Sequence, residues 1–102
     1  MSPRTAWFSD RTVVDATGEK LGKVSDVLFD DIDDNPSWLV VNPGLFKAEH
    51  YVPADGAYLD DDDHVVIPYD SETVMSSPKA TSDHVVSTAA RAVLRDHYAT
   101  TN

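Results

Sequence analysis

Cysteine is absent from this chain, and lysine, arginine and glycine are scarce. Without cysteine there is no thiol nucleophile, no thiolate metal ligand and no disulfide. Eight lysines and arginines stand against 18 aspartates and glutamates, which gives a formal net charge of −10 at pH 7. A surface this acidic repels phosphate groups, so we expect neither nucleic-acid binding nor attachment to anionic lipid.

Long apolar runs are also missing. The N-terminal residues contain no apolar stretch of the roughly 7–15 residues that a secretory signal needs. Runs such as residues 38–41 are far too short to cross a bilayer. We therefore expect a cytoplasmic protein with no membrane insertion.

What the chain does contain is the composition of one small globular domain. Its 102 residues are 41% hydrophobic and 25% charged, as in ordinary folded domains. A chain of this length buries about 60–68% of its unfolded surface, enough for one modest core. The apolar segments are short and closely spaced, which predicts a small barrel or sandwich of strands rather than alternating strands and helices.

The segment at residues 21–29 fits two structures by periodicity alone. Its apolar residues fall at helical spacing. Gly22, Ser25 and Asp26 are poor helix formers, however, and no capping pattern precedes them. We favour a strand with a bulge near Ser25 and Asp26.

The other apolar runs predict further strands separated by turns. Residues 38–41 are continuously apolar, which is typical of a strand buried on both faces. The remaining predicted extended segments are residues 12–15, 45–52, 58–59 and 64–69. Aspartate-rich turns are predicted at residues 30–37 and 60–63.

The pattern becomes helical toward the C-terminus. Residues 70–75 predict one helical turn, and residues 76–82 indicate a linker. Residues 83–98 predict a helix with Ser82 or Asp83 as its N-cap. The apolar stripe of that helix follows the helical period: Val86, Ala90, Val93 and Leu94.

Three stretches together resemble the PRC-barrel family: residues 14–30, residues 38–41 with 44–46, and residues 51–54 with 65–69. The resemblance implies a mainly β fold, a small and mostly antiparallel β-barrel of about six strands. It also implies that residues 21–29 form a strand. The chain then divides into an N-terminal segment at residues 1–10, a PRC-barrel-like domain at 11–78 and a C-terminal helical extension at 79–102.

Members of this family are generally docking modules rather than catalysts. They include the cytoplasmic domain of the photosynthetic reaction-centre H subunit and a domain of a ribosome-maturation factor. We expect this chain to differ from both, because its sequence predicts no membrane span, no partner domain like that of the ribosome factor, and a surface too acidic to suit RNA. It is similar to small stand-alone members, and the resemblance brings no catalytic residues and no cofactor.

The two acidic turns are candidate cation sites. Asp31, Asp33 and Asn35 match the first ligand positions of an EF-hand loop, but Pro36 stands where that loop needs glycine and Asn42 where it needs glutamate. We therefore expect solvated turns with weak cation attraction. The candidate ligands are Asp31, Asp33, Asp34, Asp61, Asp62 and Asp63.

The polar residues form no recognisable catalytic or zinc motif. The four histidines do not have the spacing of a helical zinc pair. No Gly-x-Ser-x-Gly elbow and no phosphate-binding loop occurs. We expect no enzymatic activity.

Apolar residues outside the predicted strands are candidates for binding a partner, because aromatic residues are enriched in interface cores. The candidates are Trp7, Phe8, Leu45, Phe46, Tyr51, Val86, Val93 and Leu94. The sequence favours a non-catalytic protein-interaction module that forms a homodimer. The alternative is a protein that binds a cation or small ligand through the acidic turns, and an RNA-assembly factor is disfavoured by charge. The acidic excess also fits adaptation to high salt.

Overall fold

The computed structural model describes residues 10–29, 36–44 and 47–99. Within them the strands are β1 (Thr12–Val14), β2 (Lys20–Phe29), β3 (Pro36–Asn42), β4 (His50–Pro53), β5 (Tyr58–Leu59) and β6 (Val65–Val66). Two helices follow, α1 (Ser71–Met75) and α2 (Thr88–Ala99). The fold is therefore mainly β with a C-terminal helix.

The six strands form one sheet in the order β4-β3-β2-β1-β6-β5. Neighbouring strands are antiparallel except β1 and β6, which are parallel, with Val13 opposite Val65. The sheet is thus mixed rather than wholly antiparallel. The longest strands, β2 and β3, are neighbours and pair from Lys23 opposite Asn42 to Phe29 opposite Pro36.

The expected closed barrel is not formed by the described residues, since no hydrogen bonding joins β4 to β5 in the strand order. One reason is that β5 and β6 have two residues each, so β5 offers few backbone groups that could pair with β4. A second reason is that the free side of β4 is already occupied. His50 bridges Lys79 there, and the Ala80 N–H donates to the Glu49 carbonyl at 2.8 Å.

The strand and bulge predicted around Ser25 are confirmed. Val24 lies opposite Val41 while Asp26 lies opposite Val40, so Ser25 is the extra residue on β2. Gly22 is needed on the same strand for another reason. A Cβ on it would lie 2.1 Å from the Asn42 carbonyl oxygen, and its φ is +155°. The backbones of β2 and β3 therefore approach too closely there for any side chain.

Two predicted extended segments are shorter in the structure. Of residues 45–52, only those from His50 onward are in a strand, and this strand continues to Pro53. Leu45 and Phe46 lie outside the described residues. Residues 64–69 contain only the short strand Val65–Val66, because the chain turns at the Pro68 that follows.

One hydrophobic core joins the sheet to both helices. Its fully buried members include Trp38 and Leu39 on β3, Ile67 after β6, Val74 on α1 and Leu94 on α2. Residues 38–41 of β3 and 50–53 of β4 are buried without alternation, so both faces of these strands are covered, as predicted for residues 38–41. Leu94 and Tyr98 of α2 belong to the same core. The C-terminal helix therefore packs on its own sheet.

The predicted helical turn at residues 70–75 is confirmed, with the Asp70 carboxylate accepting from the Thr73 N–H at 2.8 Å. The predicted start of the longer helix at Asp83 was wrong, because α2 begins at Thr88. Ser87 provides the capping oxygen, which accepts from the Ala90 N–H at 3.1 Å. His84 has a left-handed backbone, φ +55°, which no α-helix can contain.

Among the described residues, neither helix, α1 or α2, is long and apolar enough to cross a membrane.

Candidate functional site

Asp15 is the most deeply buried acidic residue described, at 1% exposure. One carboxylate oxygen accepts from the Thr17 N–H, the Thr17 hydroxyl and the Glu19 N–H, at 2.7–2.9 Å. The other accepts from the Ser71 N–H at 2.9 Å and so ties the β1–β2 turn to the start of α1. Burial alone raises the pKa of Asp15, but these hydrogen bonds outweigh it and hold the pKa below 3.8. With both oxygens engaged, Asp15 is a structural group.

A second polar cluster joins three separate parts of the chain at His84. The His84 ring has Nδ1 3.0 Å from the Asp26 carboxylate on β2 and Nε2 2.8 Å from the Glu49 carboxylate before β4. The other oxygen of Glu49 accepts from the Ser25 hydroxyl at 2.6 Å. We call Ser25, Asp26, Glu49 and His84 the His84 clasp.

The electrostatics of the His84 clasp favour a protonated His84 and an ionised Glu49. The Glu49 and Asp26 carboxylates raise the pKa of His84 above 6.5. The Ser25 hydroxyl and the His84 ring lower the pKa of Glu49 below 4.5. Sequence reasoning missed this cluster, because its members lie 35 and 58 residues apart from His84 and follow no motif.

The pKa of His50 is shifted in the direction opposite to that of His84. It is 4% exposed, and its Nδ1 lies 3.0 Å from the hydroxyl of Ser77, which donates to the Val74 carbonyl at 2.6 Å. Burial lowers the pKa of His50 below 6.5. His50 is therefore a neutral buried group. With Ser77 and Lys79 it anchors the segment at residues 76–82, the predicted linker, which connects the two helices.

The acidic β5–β6 turn is the one described group of residues with metal-ligand geometry. Ligand atoms of Asp60, Asp62 and His64 lie within 4.8 Å of one another. The Asp60 carboxylate already accepts from the N–H groups of Asp62 and His64, both at 2.9 Å, which is ordinary turn chemistry. The cluster therefore fits a solvated turn, although cation attraction is compatible with it.

The candidate cation ligands are distributed unevenly in the structure. Of the predicted ligands, Asp62 is in that cluster, whereas Asp61 and Asp63 are exposed residues of the same turn. Asp63 lies 4.0 Å from the Arg11 guanidinium. Asp31, Asp33 and Asp34 lie outside the described residues.

The predicted partner-binding residues separate into buried and exposed groups. Tyr51 and Leu94 are in the core, so their assignment to a partner surface was wrong. The Tyr51 hydroxyl lies 3.1 Å from both the Thr81 hydroxyl and the Val85 carbonyl, inside the molecule. Val86 is half-buried against the core. Trp7, Phe8, Leu45 and Phe46 lie outside the described residues.

Val93 is the predicted partner-binding residue that the structure leaves exposed, at 55%, beside the 1% exposed Leu94. Val93 lies one helical turn before His97, on the same side of α2. The His97 ring is 2.8 Å from the Thr73 carbonyl of α1. This side of α2 therefore adjoins α1, where Met75 is 40% exposed. We call Met75 and Val93 the helix patch.

A second exposed apolar pair, Tyr58 and Leu59, lies on the edge strand β5. Val85, before α2, is exposed as well. Sequence reasoning read residues 58–59 only as a short strand. The acidic residues on either side of them were a signal that this strand lies at the surface rather than in the core.

Two surface depressions have little chemistry of their own. A groove of about 560 Å³ is lined by β2 and the end of β3, with Asp10 and Lys23 as its titratable side chains. A smaller hollow of about 180 Å³ lies between Tyr69, Arg95 and Tyr98. Arg95 also lies over the Trp38 ring, 5.4 Å from its centroid. Neither depression pairs a nucleophile with a base.

A search among curated proteins found no match to the chain. The family model described as the PRC-barrel domain matches residues 8–88, most of the 102-residue sequence. That span contains all six strands, the Asp15 turn and the His84 clasp. On this match the chain belongs to the PRC-barrel family.

Proposed function

We propose that this chain is a non-catalytic protein-interaction module of the cytoplasm and that its partner is a second copy of itself, held through the helix patch. The observation that carries the proposal is the contrast on α2, where Leu94 is 1% exposed and Val93 is 55% exposed. The helix completes its own core and still presents an apolar side chain to solvent.

The position of the helix patch also supports this choice. Met75 and Val93 come from two helices that are linked by the contact between the His97 ring and the Thr73 carbonyl. A twofold dimer needs one patch to meet its own copy, and the exposed apolar side chains of this patch can do so. A domain with a small core also gains from burying further apolar surface.

Charge favours α2 over the acidic turns as the meeting surface. The chain has a net charge of −10, so two copies repel each other over most of their surface. Along α2, however, Arg91 and Arg95 outnumber the single acid Asp96. We expect association to strengthen as salt screens the remaining repulsion.

Light scattering at micromolar concentration tests the proposal. We expect a species of twice the 11.2 kDa chain mass. Val93→Lys should give the monomer, because it places a charge in the apolar contact. Ala92→Lys is the matched control on an exposed neighbouring position and should stay dimeric. A wild-type protein that remains at 11.2 kDa overturns the proposed dimer.

The rival function is cation binding at the β5–β6 turn, favoured by the grouping of Asp60, Asp62 and His64. Calorimetry with calcium and with magnesium separates the two. A saturable site that Asp62→Asn abolishes supports the rival. Weak heats that disappear with added salt support the interaction module, because they report a general counter-ion effect.

A further inference from the structure

We propose that the His84 clasp is a pH-dependent latch, which holds residues 79–87 along the edge of β4 and loosens when His84 loses its proton. The latch fastens the segment between the two helices to the sheet, and it does so within one chain, independently of self-association.

The geometry of the clasp requires a charged imidazole. Both ring nitrogens of His84 face carboxylate oxygens, Asp26 at 3.0 Å and Glu49 at 2.8 Å. Carboxylates only accept hydrogen bonds, so each nitrogen must donate. The imidazolium donates from both nitrogens, whereas the neutral ring donates from one. Loss of the proton therefore breaks one contact and leaves a lone pair facing a negative charge.

The latched segment covers the one open side of β4. Lys79 bridges His50, the Ala80 N–H donates to the Glu49 carbonyl at 2.8 Å, and the Thr81 hydroxyl meets the Tyr51 hydroxyl at 3.1 Å. These contacts do not themselves titrate near neutrality, so release begins at His84. We expect it to spread along residues 79–87, as far as Ala80, but not into the sheet.

The backbone conformation of His84 also favours opening of the latch. Its φ of +55° is left-handed, a conformation that side chains with a Cβ disfavour. The charged contacts with Asp26 and Glu49 hold the residue in this conformation. When one of them is lost, the backbone can relax, which favours opening over a simple turn of the ring.

The charged groups around His84 all favour its protonated form. They are Asp26 from β2, Glu49 from the segment before β4 and Asp83, its neighbour in the chain. The raised pKa of His84 means that the latch is complete below 6.5 and is lost as pH rises through the folded-state value. The lowered pKa of Glu49 means that its contribution is complete above 4.5 and is lost as pH falls through its own folded-state value. The latch is therefore tightest between pH 4.5 and 6.5.

Two measurements on the wild-type chain test the latch. In a proton NMR titration, we expect the ring of His84 to titrate above 6.5. In hydrogen exchange corrected for the intrinsic pH effect, the amides of Ala80, His84 and Val85 should lose protection on the order of tenfold as His84 deprotonates. The amide of Val40, in the centre of the sheet, should keep its protection.

Substitutions separate the latch from general instability. Glu49→Gln should lower the midpoint of the His84 titration, and His84→Gln should remove the pH dependence of exchange at Ala80 and Val85. His64→Gln is the control, since His64 also lies beside an aspartate but outside the clasp. A His84 midpoint at or below 6.5, or exchange at Val85 that does not follow it, overturns the proposal.

Discussion

The sheet and the C-terminal segment at residues 79–99 are attached to the molecule by different forces. The sheet is held by apolar burial, with Leu39, Val40 and Val52 fully buried. The C-terminal segment contributes Leu94 and Tyr98 to the same core and packs Ala80 and Val86 against it. It is also held by polar contacts, which include the His84 clasp and the hydroxyl groups of Tyr51 and Tyr98.

The two regions of the molecule therefore respond differently to pH. Apolar burial does not depend on protonation, whereas a pair of charged groups does. We expect the sheet to keep its stability across a broad pH range while the C-terminal segment loosens separately. A segment that can be loosened without unfolding the sheet is a suitable place for regulation.

The largest expected effect is in the sheet. Leu39→Ala removes a fully buried side chain from the central strand β3. It should lower the free energy of unfolding by about 2–5 kcal/mol, because the lost contacts leave a cavity. Urea denaturation measures this, and Val93→Ala, at an exposed position, should change stability by less than about 0.5 kcal/mol. Equal losses from both variants would contradict the assignment of the core to the sheet.

A smaller effect is expected where a polar group fastens the sheet to α1. Asp15→Ala leaves the donors of Thr17, Glu19 and Ser71 without their acceptor. The loss of stability should be about 2–3 kcal/mol at neutral pH. Asp62→Ala, on the exposed turn, is the control and should cost less than about 0.5 kcal/mol.

The pH dependence of the Asp15 effect follows from its lowered pKa. Its contribution is present above 3.8 and is lost as pH falls through the folded-state value. The difference between wild type and Asp15→Ala should therefore shrink in acid, measured as thermal unfolding at several pH values. A difference that stays constant down to the acid limit would mean that the carboxylate charge is not what stabilises the turn.

The smallest of the three effects concerns the fastening of α2. The Tyr98 hydroxyl donates to the Tyr51 carbonyl at 2.6 Å. Burial raises the pKa of Tyr98 to about 12, so it remains a donor at all ordinary pH values. Tyr98→Phe should cost about 0.5–1.5 kcal/mol and leave the fold intact. Tyr58→Phe, on the exposed edge strand, should not change the free energy of unfolding. A loss of stability there as large as for Tyr98→Phe would mean that the buried hydrogen bond of Tyr98 does not stabilise α2.

The sequence predicted the sheet well because its signals are local. A continuous apolar run predicted β3, and the weak helix formers around Ser25 predicted both strand and bulge. The first residues of the strands and helices were less predictable. β4 begins only at His50 and α2 only at Thr88, because long-range contacts of the His84 clasp and Tyr51 hold the preceding residues in irregular conformations.

The candidate site could be predicted only in part. Hydrophobicity cannot distinguish Val93 from Leu94, since both lie near the apolar stripe of one helix and only the packing of that helix decides which is covered. The His84 clasp could not be predicted at all. It depends on the sheet bringing Asp26 and Glu49 to the same place, and single histidines carry no local signal of their partners.

Amide NMR spectra recorded at increasing protein concentration show where two copies meet, because they report which residues change environment. If the helix patch is the meeting surface, we expect concentration-dependent shifts around Met75 and Val93, with Tyr58 and Leu59 unchanged. Spectra that do not depend on concentration, or shifts confined to Tyr58 and Leu59, would contradict a dimer formed through the helix patch.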